Sequence, residues 1–358
     1  MPTPLRVALG AALLGAAIWL AWWPLAAWQR AAATEDWLEA RRAEGWQAEW
    51  AAIDVAGFPL AYSRRIEAPA LADPATGWAW QAPWLTLRAP RHAALSPAEA
   101  PAAALSPLPW GSGLKRGPLT VGFPPEQSLS RPGERLTLTA GALSARLDLR
   151  GARDSLRIAT FDAEALGLLS EEGWRAGLGA ARLTAVADPA DPATLAVTLR
   201  AVDLTLPAAM AEAVRRTGGT PGQISRLAAE ARIGFDRPWD QAALDIARPQ
   251  PRRIDLRDAG LTWGALELRL AGDLTIAEDG TPEGRLLVKA TNWRELLAAA
   301  EATGALPDAL ARTAEAALGL ASRLAGSPDT LDVPLTFEGG RTRLGPLPLG
   351  PAPVLRLP

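Results

Sequence analysis

Hydrophobic positions along the chain follow two regimes. Val7 to Trp28 reads VALGAALLGAAIWLAWWPLAAW, with no charged residue. At about 1.5 Å per residue such a helix is long enough for a hydrocarbon core of about 30 Å. Its tryptophans, Trp19, Trp22, Trp23 and Trp28, gather towards one end, where an indole can bury its ring and keep its N–H wet. The small residues Ala31 to Ala33 raise a cleaved signal peptide as the rival, but the apolar run exceeds the 7–15 residues of a signal core. The pattern predicts an uncleaved anchor over residues 1–30. Arg6 precedes the span while Arg30, Arg41 and Arg42 follow it, so the basic residues do not place the body outside and slightly oppose it.

After the span, polar and apolar positions alternate. Thr34 is placed to cap a short amphipathic helix, with Glu35 and Asp36 in its first turn and Gly45 to stop it. Trp46 to Val55 alternates as a half-buried strand does, Gly57-Phe58-Pro59 breaks it, and Leu60 to Ile66 can return as a second strand. In an extended strand Trp78, Trp80 and Trp84 would share one face, a candidate platform for an apolar ligand or an ordinary piece of core. Residues 96–133 are rich in Pro, Gly and Ser, with Leu119 to Phe123 as a short strand, and mark a candidate subdivision of the body.

From Glu134 onward alternation dominates, through Leu136 and Leu138, then Leu143, Ala145, Leu147 and Leu149. A hairpin followed by a helix recurs. One copy uses Gly179–Ala185, Leu195–Leu199 and a helix from Pro207; the other uses Gly264–Leu270, a turn at Asp279-Gly280, Leu286–Lys289 and a helix capped by Asn292 with Glu295 three residues on. A further helix from Pro307 to about Leu324 carries the stripe Leu310, Ala314, Ala317, Leu318, Ala321 and Leu324, with Gly326 to end it. The expected class is α+β with β dominant: an N-terminal transmembrane helix, then mostly antiparallel sheet with a few amphipathic helices.

Composition narrows the chemistry. The chain has 358 residues and a net charge of −2, so it carries no electrostatic footprint for nucleic acid. It has no cysteine, which removes disulfides, thiolate metal sites and cysteine nucleophiles together. His92 is the single histidine and sits in Arg91-His92-Ala93 with no nucleophile elbow; no histidine-rich metal site can form. Gly111 to Gly117 contains glycines and Lys115 but lacks the phosphate-loop spacing. Two carboxylates suffice for glycoside hydrolysis, so Glu171-Glu172 and Asp188 with Asp191 keep a hydrolase among the alternatives. Tryptophan is concentrated, with eleven of 15 between Trp19 and Trp110.

Several stretches together carry a resemblance: Gly57-Phe58-Pro59, Trp78-Ala79-Trp80-Gln81-Ala82-Pro83, the unit from Gly280 and Gly284 to Asn292-Trp293, and Gly345-Pro346-Leu347-Pro348-Leu349-Gly350-Pro351. They resemble a family of uncharacterised bacterial proteins, domain of unknown function 2125. The resemblance implies a single N-terminal span in the inner membrane and a periplasmic body covering residues 31–358, which would overrule the charge count. It carries over no catalytic residue, metal or cofactor. The Gly-x-Leu-x-Leu hairpins are also similar to those of AsmA-type envelope proteins, whose long sheets form apolar grooves. The expected function is therefore non-enzymatic binding of a lipid or another envelope protein, with Trp78, Trp80 and Trp84 as the candidate apolar platform. The alternatives are a carboxylate-dependent hydrolase of an envelope substrate and a structural subunit of an inner-membrane complex.

Overall fold

A computed structural model describes residues 31–357, except 33, 58–61, 75, 90–118, 151–154, 217–222, 241–242, 244–247, 303–307 and 325–326. The anchor expected at Val7–Trp28, His92 and Gly111–Gly117 lie outside the described residues. Among those described, no helix is long and apolar enough to cross a membrane. The chain divides into two compact units. The first holds residues up to Pro132 with Asp148–Arg150; the second holds Gly133–Leu147 and Gly151–Pro358.

In the first unit a helix over residues 34–43 (α1) ends in a Schellman arrangement. Trp46 N–H donates to the Arg41 carbonyl and Gly45 N–H to that of Arg42, each at 3.0 Å, with Gly45 at φ +94°. Thr34 does not cap it. Residues 31 and 32 are already helical, since an alanine run favours helix, and Thr34 is buried with its hydroxyl 3.4 Å from Arg64 Nη1.

Two antiparallel ladders follow. One joins β1 (Gln47–Glu49), β4 (Ala70–Asp73), β5 (Trp78–Gln81) and β8 (Glu126–Arg131). The other joins β2 (Ala52–Ala56), β3 (Tyr62–Glu67), β6 (Trp84–Ala89) and β7 (Leu119–Gly122). The expected single strand from Trp46 to Val55 is thus two, broken at Trp50-Ala51. The chain changes ladder there, at Ala68-Pro69 and at Ala82-Pro83. Ala68 takes φ +46°, and the corners are stitched by Ala68 N–H to the Pro83 carbonyl (2.9 Å) and Ala82 N–H to that of Pro69 (3.1 Å). A proline cannot donate to a ladder, so Pro69 and Pro83 mark where each ladder must stop.

The second unit contains a long antiparallel meander. β9 (Glu134–Thr139) pairs with β11 (Ser155–Ser170). Pairing then runs in chain order through β12 (Arg175–Ala187), β13 (Thr194–Leu204), β14 (Ile224–Phe235), β15 (Pro251–Trp263), β16 (Leu266–Ile276), β17 (Pro282–Thr291), β18 (Thr330–Glu338), β19 (Arg341–Leu344) and β20 (Leu347–Pro351). β10 (Ala142–Arg150) precedes β11. The recurring plan of hairpin then helix is present. α2 (Ala208–Arg216) interrupts the β13–β14 connection, while α3 (Trp293–Ala302) and α4 (Asp308–Leu324) interrupt the β17–β18 connection. β13 and β17 run the same way, so both insertions leave from one end of the sheet, and α2 packs against α3.

Trp293 is 1% exposed and centres the core that α3 and α4 make with Leu266, Ala290, Leu318, Leu331 and Val333. Its indole N–H donates to the Pro328 carbonyl at 3.1 Å. Asn292 sits at φ +56° and its side-chain amide donates to the Ala265 carbonyl at 2.7 Å. The buried stripe of α4 runs through Ala311, Ala314, Leu318 and Ser322. Ala314 and Leu318 belong to the expected stripe, and Ala311 and Ala314 face Leu347 on β20.

Candidate functional site

The predicted tryptophan platform is divided. Trp78 and Trp80 share one face of β5, but β5 ends at Gln81 and Trp84 opens β6 in the other ladder. Trp80 donates its indole N–H to Gln127 Oε1 at 2.8 Å and meets Phe123 edge-on at 6.5 Å. Trp84 lies under the Arg65 guanidinium, 4.7 Å from the ring centre. Trp78, 44% exposed, lies 6.0 Å from the Arg131 guanidinium. The break at Ala82-Pro83 is what separates them.

The larger apolar surface lies on the second unit's sheet. Directly paired residues in an antiparallel ladder share a face, so the register can be followed strand by strand. One row runs Phe161, Leu183, Leu199, Ala229, Ala259, Leu270, Val288, Val333 across eight strands. The rows on either side, Ala163 to Leu331 and Ala159 to Leu335, are equally free of charge. At about 4.8 Å per strand each row extends about 34 Å, roughly twice the reach of one lipid tail, which is half of a 30 Å hydrocarbon core.

The opposite face is ionic. Its corresponding row contains Asp162, Arg182, Arg200, Arg269, Lys289 and Asp332. Cross-strand pairs tie it together: Arg182 with Asp162, Arg200 with Glu230 (3.6 Å), Arg253 with Asp273 (3.6 Å) and Lys289 with Asp332 (3.4 Å).

The apolar face is covered unevenly. Over β16–β18 its side chains are large and packed beneath α3 and α4 at one end. At the other end Leu274, Leu286 and Phe337 pack with Ala352. Over β11–β15 alanine recurs instead, at Ala159, Ala163, Ala181, Ala185, Ala229 and Ala231. Leu183, Val197, Leu199, Leu227, Ala229 and Ala231 remain half-buried, and Phe161 and Leu169 on the same face are 46% and 41% exposed. Small, partly exposed apolar side chains therefore line this stretch.

Two glycines break the regular ladder of this sheet. Gly272 and Gly284 take φ +146° and +137° inside strands. A Cβ on Gly272 would stand 2.3 Å from the Arg285 carbonyl oxygen, and one on Gly284 would stand 2.4 Å from that of Asp273. Register shifts accompany them at Glu230/Ala231 and Leu256/Ala259. Bulges and glycines of this kind sharpen coiling and curve a sheet.

A model of the bacterial family described as an uncharacterized protein conserved in bacteria, DUF2125, matches residues 23–353. The chain belongs to this family. No curated protein and no solved structure matches it. Strands β9 to β20 fall inside the matched residues.

The acids kept in view for hydrolysis are held as turn residues. Asp188 accepts the Ala190 amide at 2.9 Å and pairs with Arg232, and these contacts, with the amide bond first, hold its carboxyl below the ordinary range. Asp191 accepts the Thr194 hydroxyl at 2.6 Å, and Glu171 pairs with Arg135 at 3.0 Å. A general acid needs the opposite displacement. The alternation Leu195-x-Val197-x-Leu199 and Leu266-x-Leu268-x-Leu270, read from sequence as hairpin strands, places these residues on the apolar face.

Proposed function

We propose that this DUF2125 protein is a non-enzymatic, membrane-anchored lipid-binding protein whose apolar sheet face holds acyl chains. The observation that carries the proposal is the three adjacent uncharged rows across β11–β18, lined with alanines and half-open over β11–β15. Each methylene buried there contributes about 0.8 kcal/mol, and a hydrocarbon chain asks nothing of the wall but shape. The principal chain-binding surface is this face rather than Trp78, Trp80 and Trp84, since only two of those three share a strand. The anchor is Val7–Trp28 in the inner membrane, with the body on the periplasmic side.

Purification of the full chain in mild detergent, followed by mass spectrometry, should recover bound lipid. Leu199→Asp should abolish it, whereas Thr198→Asp, one residue away on the ionic face, should leave it. Equal lipid content in both variants, each checked for native circular dichroism, would overturn the proposal. Placement is tested separately by a reporter active only in the periplasm, fused after Pro358; an inactive but expressed fusion would put the body on the other side.

A further inference from the structure

We propose that Ala352–Leu357, the segment that follows β20, is a releasable strap. Fastened, it ties three hairpin ends of the second unit together and packs Ala352 over the end of the apolar face at Leu274, Leu286 and Phe337. Released, it uncovers that end while the sheet stays paired. β20 finishes at the end of the sheet opposite the helices, where β14, β16 and β18 also finish. From there the segment runs back across the strand ends. The Ala352 amide donates to the Gly340 carbonyl in the β18–β19 turn, and the Leu355 amide to the Gly280 carbonyl in the β16–β17 turn, each at 2.8 Å. Leu357 reaches Gln250, just before β15. Its amide donates to Gln250 Oε1 at 3.0 Å, and its carbonyl accepts from Gln250 Nε2 at 3.1 Å.

The sequence makes a strap here and not another strand. Pro351 and Pro353 have no N–H, so consecutive ladder bonds cannot form, and residues 352–357 belong to no strand. The fastening is sparse. Against the buried cluster the segment places Ala352, a side chain of one methyl, while Val354 and Leu357 are 66% and 38% exposed. Segments with few buried apolar contacts open locally before the structure that supports them. Gln250 is the fastener. Its backbone amide donates to Asp236 Oδ1 and its carbonyl accepts the Asp236 amide, each at 2.9 Å, and Nε2 also donates to the Arg248 carbonyl at 3.2 Å. A carboxamide so held offers the one acceptor and one donor that the N–H and C=O of an extended residue need. Gly280 is the saddle. A Cβ there would stand 2.5 Å from Arg356 Cγ and 2.9 Å from Val354 Cγ1, whereas the same position on Gly339 has nothing within 4 Å.

The chain has no cysteine, so one introduced thiol reports the strap alone. In the full chain in mild detergent, Ala352→Cys is labelled with a charged, water-soluble maleimide, and Val354→Cys is the exposed reference. Ala352→Cys should label about a hundredfold more slowly than Val354→Cys. Its rate should rise only weakly with urea, as for an opening that exposes little surface. Gln250→Ala should speed labelling about tenfold, and Gln250→Glu, which keeps the acceptor and loses the donor, severalfold. Gly280→Ala should speed it as well; Gly339→Ala, also at positive φ but with no strap above it, should not. In the wild-type chain the Leu355 amide should exchange for deuterium about a hundredfold faster than the paired amides of β17. A urea dependence equal to that of global unfolding, or Leu355 exchange as slow as that of β17, makes the segment a permanent part of the sheet and overturns the proposal. Ala352→Cys labelling as fast as Val354→Cys, or unchanged by Gln250→Ala, overturns it too, since the segment is then not fastened at Gln250. None of these readouts involves lipid, so their failure and that of the lipid-binding reading are distinct.

Discussion

Gly272 shows how much of the sheet's shape hangs on one missing methyl. Its φ of +146° is closed to side chains, and a Cβ would meet the Arg285 carbonyl at 2.3 Å. Gly272→Ala is therefore expected to cost about 2–4 kcal/mol, combining backbone strain with a clash against main chain. Gly339, at φ +57° with nothing within 4 Å of its Cβ position, should cost only about 1 kcal/mol on the same change. Urea denaturation of both variants checks the difference; equal losses would mean the close approach at Gly272 relaxes freely. Asp188 offers a pH-dependent counterpart. Its folded carboxyl titrates below the ordinary 3.8, so its contribution is fully present above that value and disappears as pH falls through the lowered one. The melting temperature of Asp188→Asn should thus lie below wild type near neutrality and converge with it in acid below about pH 4. Asp188 and Asp191, each followed by a proline, make turns whose bonds are local, to Ala190 and Thr194. The burial of Thr34 was not legible in the sequence, because its fate depends on Arg64 thirty residues away.

At the scale of elements, alternation and turn chemistry carried most of the information. Asp279-Gly280 and Gly339-Gly340 end strands where expected, with positive φ at each glycine, since tight hairpins demand it. The failures share one cause. Trp46 to Val55 and Trp78 to Arg88 alternate without interruption, yet each crosses from one ladder to another. Periodicity reports which side a residue faces and not which neighbour its backbone finds. Trp293 is the element-scale test. Trp293→Ala removes a side chain 1% exposed and the N–H bond to Pro328, and should cost about 3–5 kcal/mol. Leu320→Ala on the outer side of α4, where Leu320 is 61% exposed, should change stability by less than about 0.5 kcal/mol. Denaturant midpoints distinguish them, and a mild effect at Trp293 would mean α3 and α4 dock without it.

For the whole molecule, the sequence announced a β-dominant body with an interruption near residues 96–133, but not that eleven strands of the second unit would pair in an unbroken meander. That arrangement follows from long-range pairing, which local periodicity cannot encode. It also turns an ordinary alternation into a two-faced sheet, because eight strands in register place three uncharged rows on one side and cross-strand ion pairs on the other. The two compact units meet different demands. The first buries Leu87 and Leu119, at 3% and 1% exposure, around short ladders and α1; the second buries Leu266 and Trp293, at 0% and 1%, beneath its helices. Separate cores of this kind need not melt together. Leu87→Ala should lower one calorimetric transition and Leu266→Ala the other, each by an amount matching about 2–5 kcal/mol of lost core packing. Because the proposed lipid-binding face belongs to the second unit, lipid bound there should raise the transition that Leu266→Ala lowers and leave the other in place, as ligand binding stabilises only the state that binds. A single transition moved equally by both variants and by lipid would show that the units unfold as one.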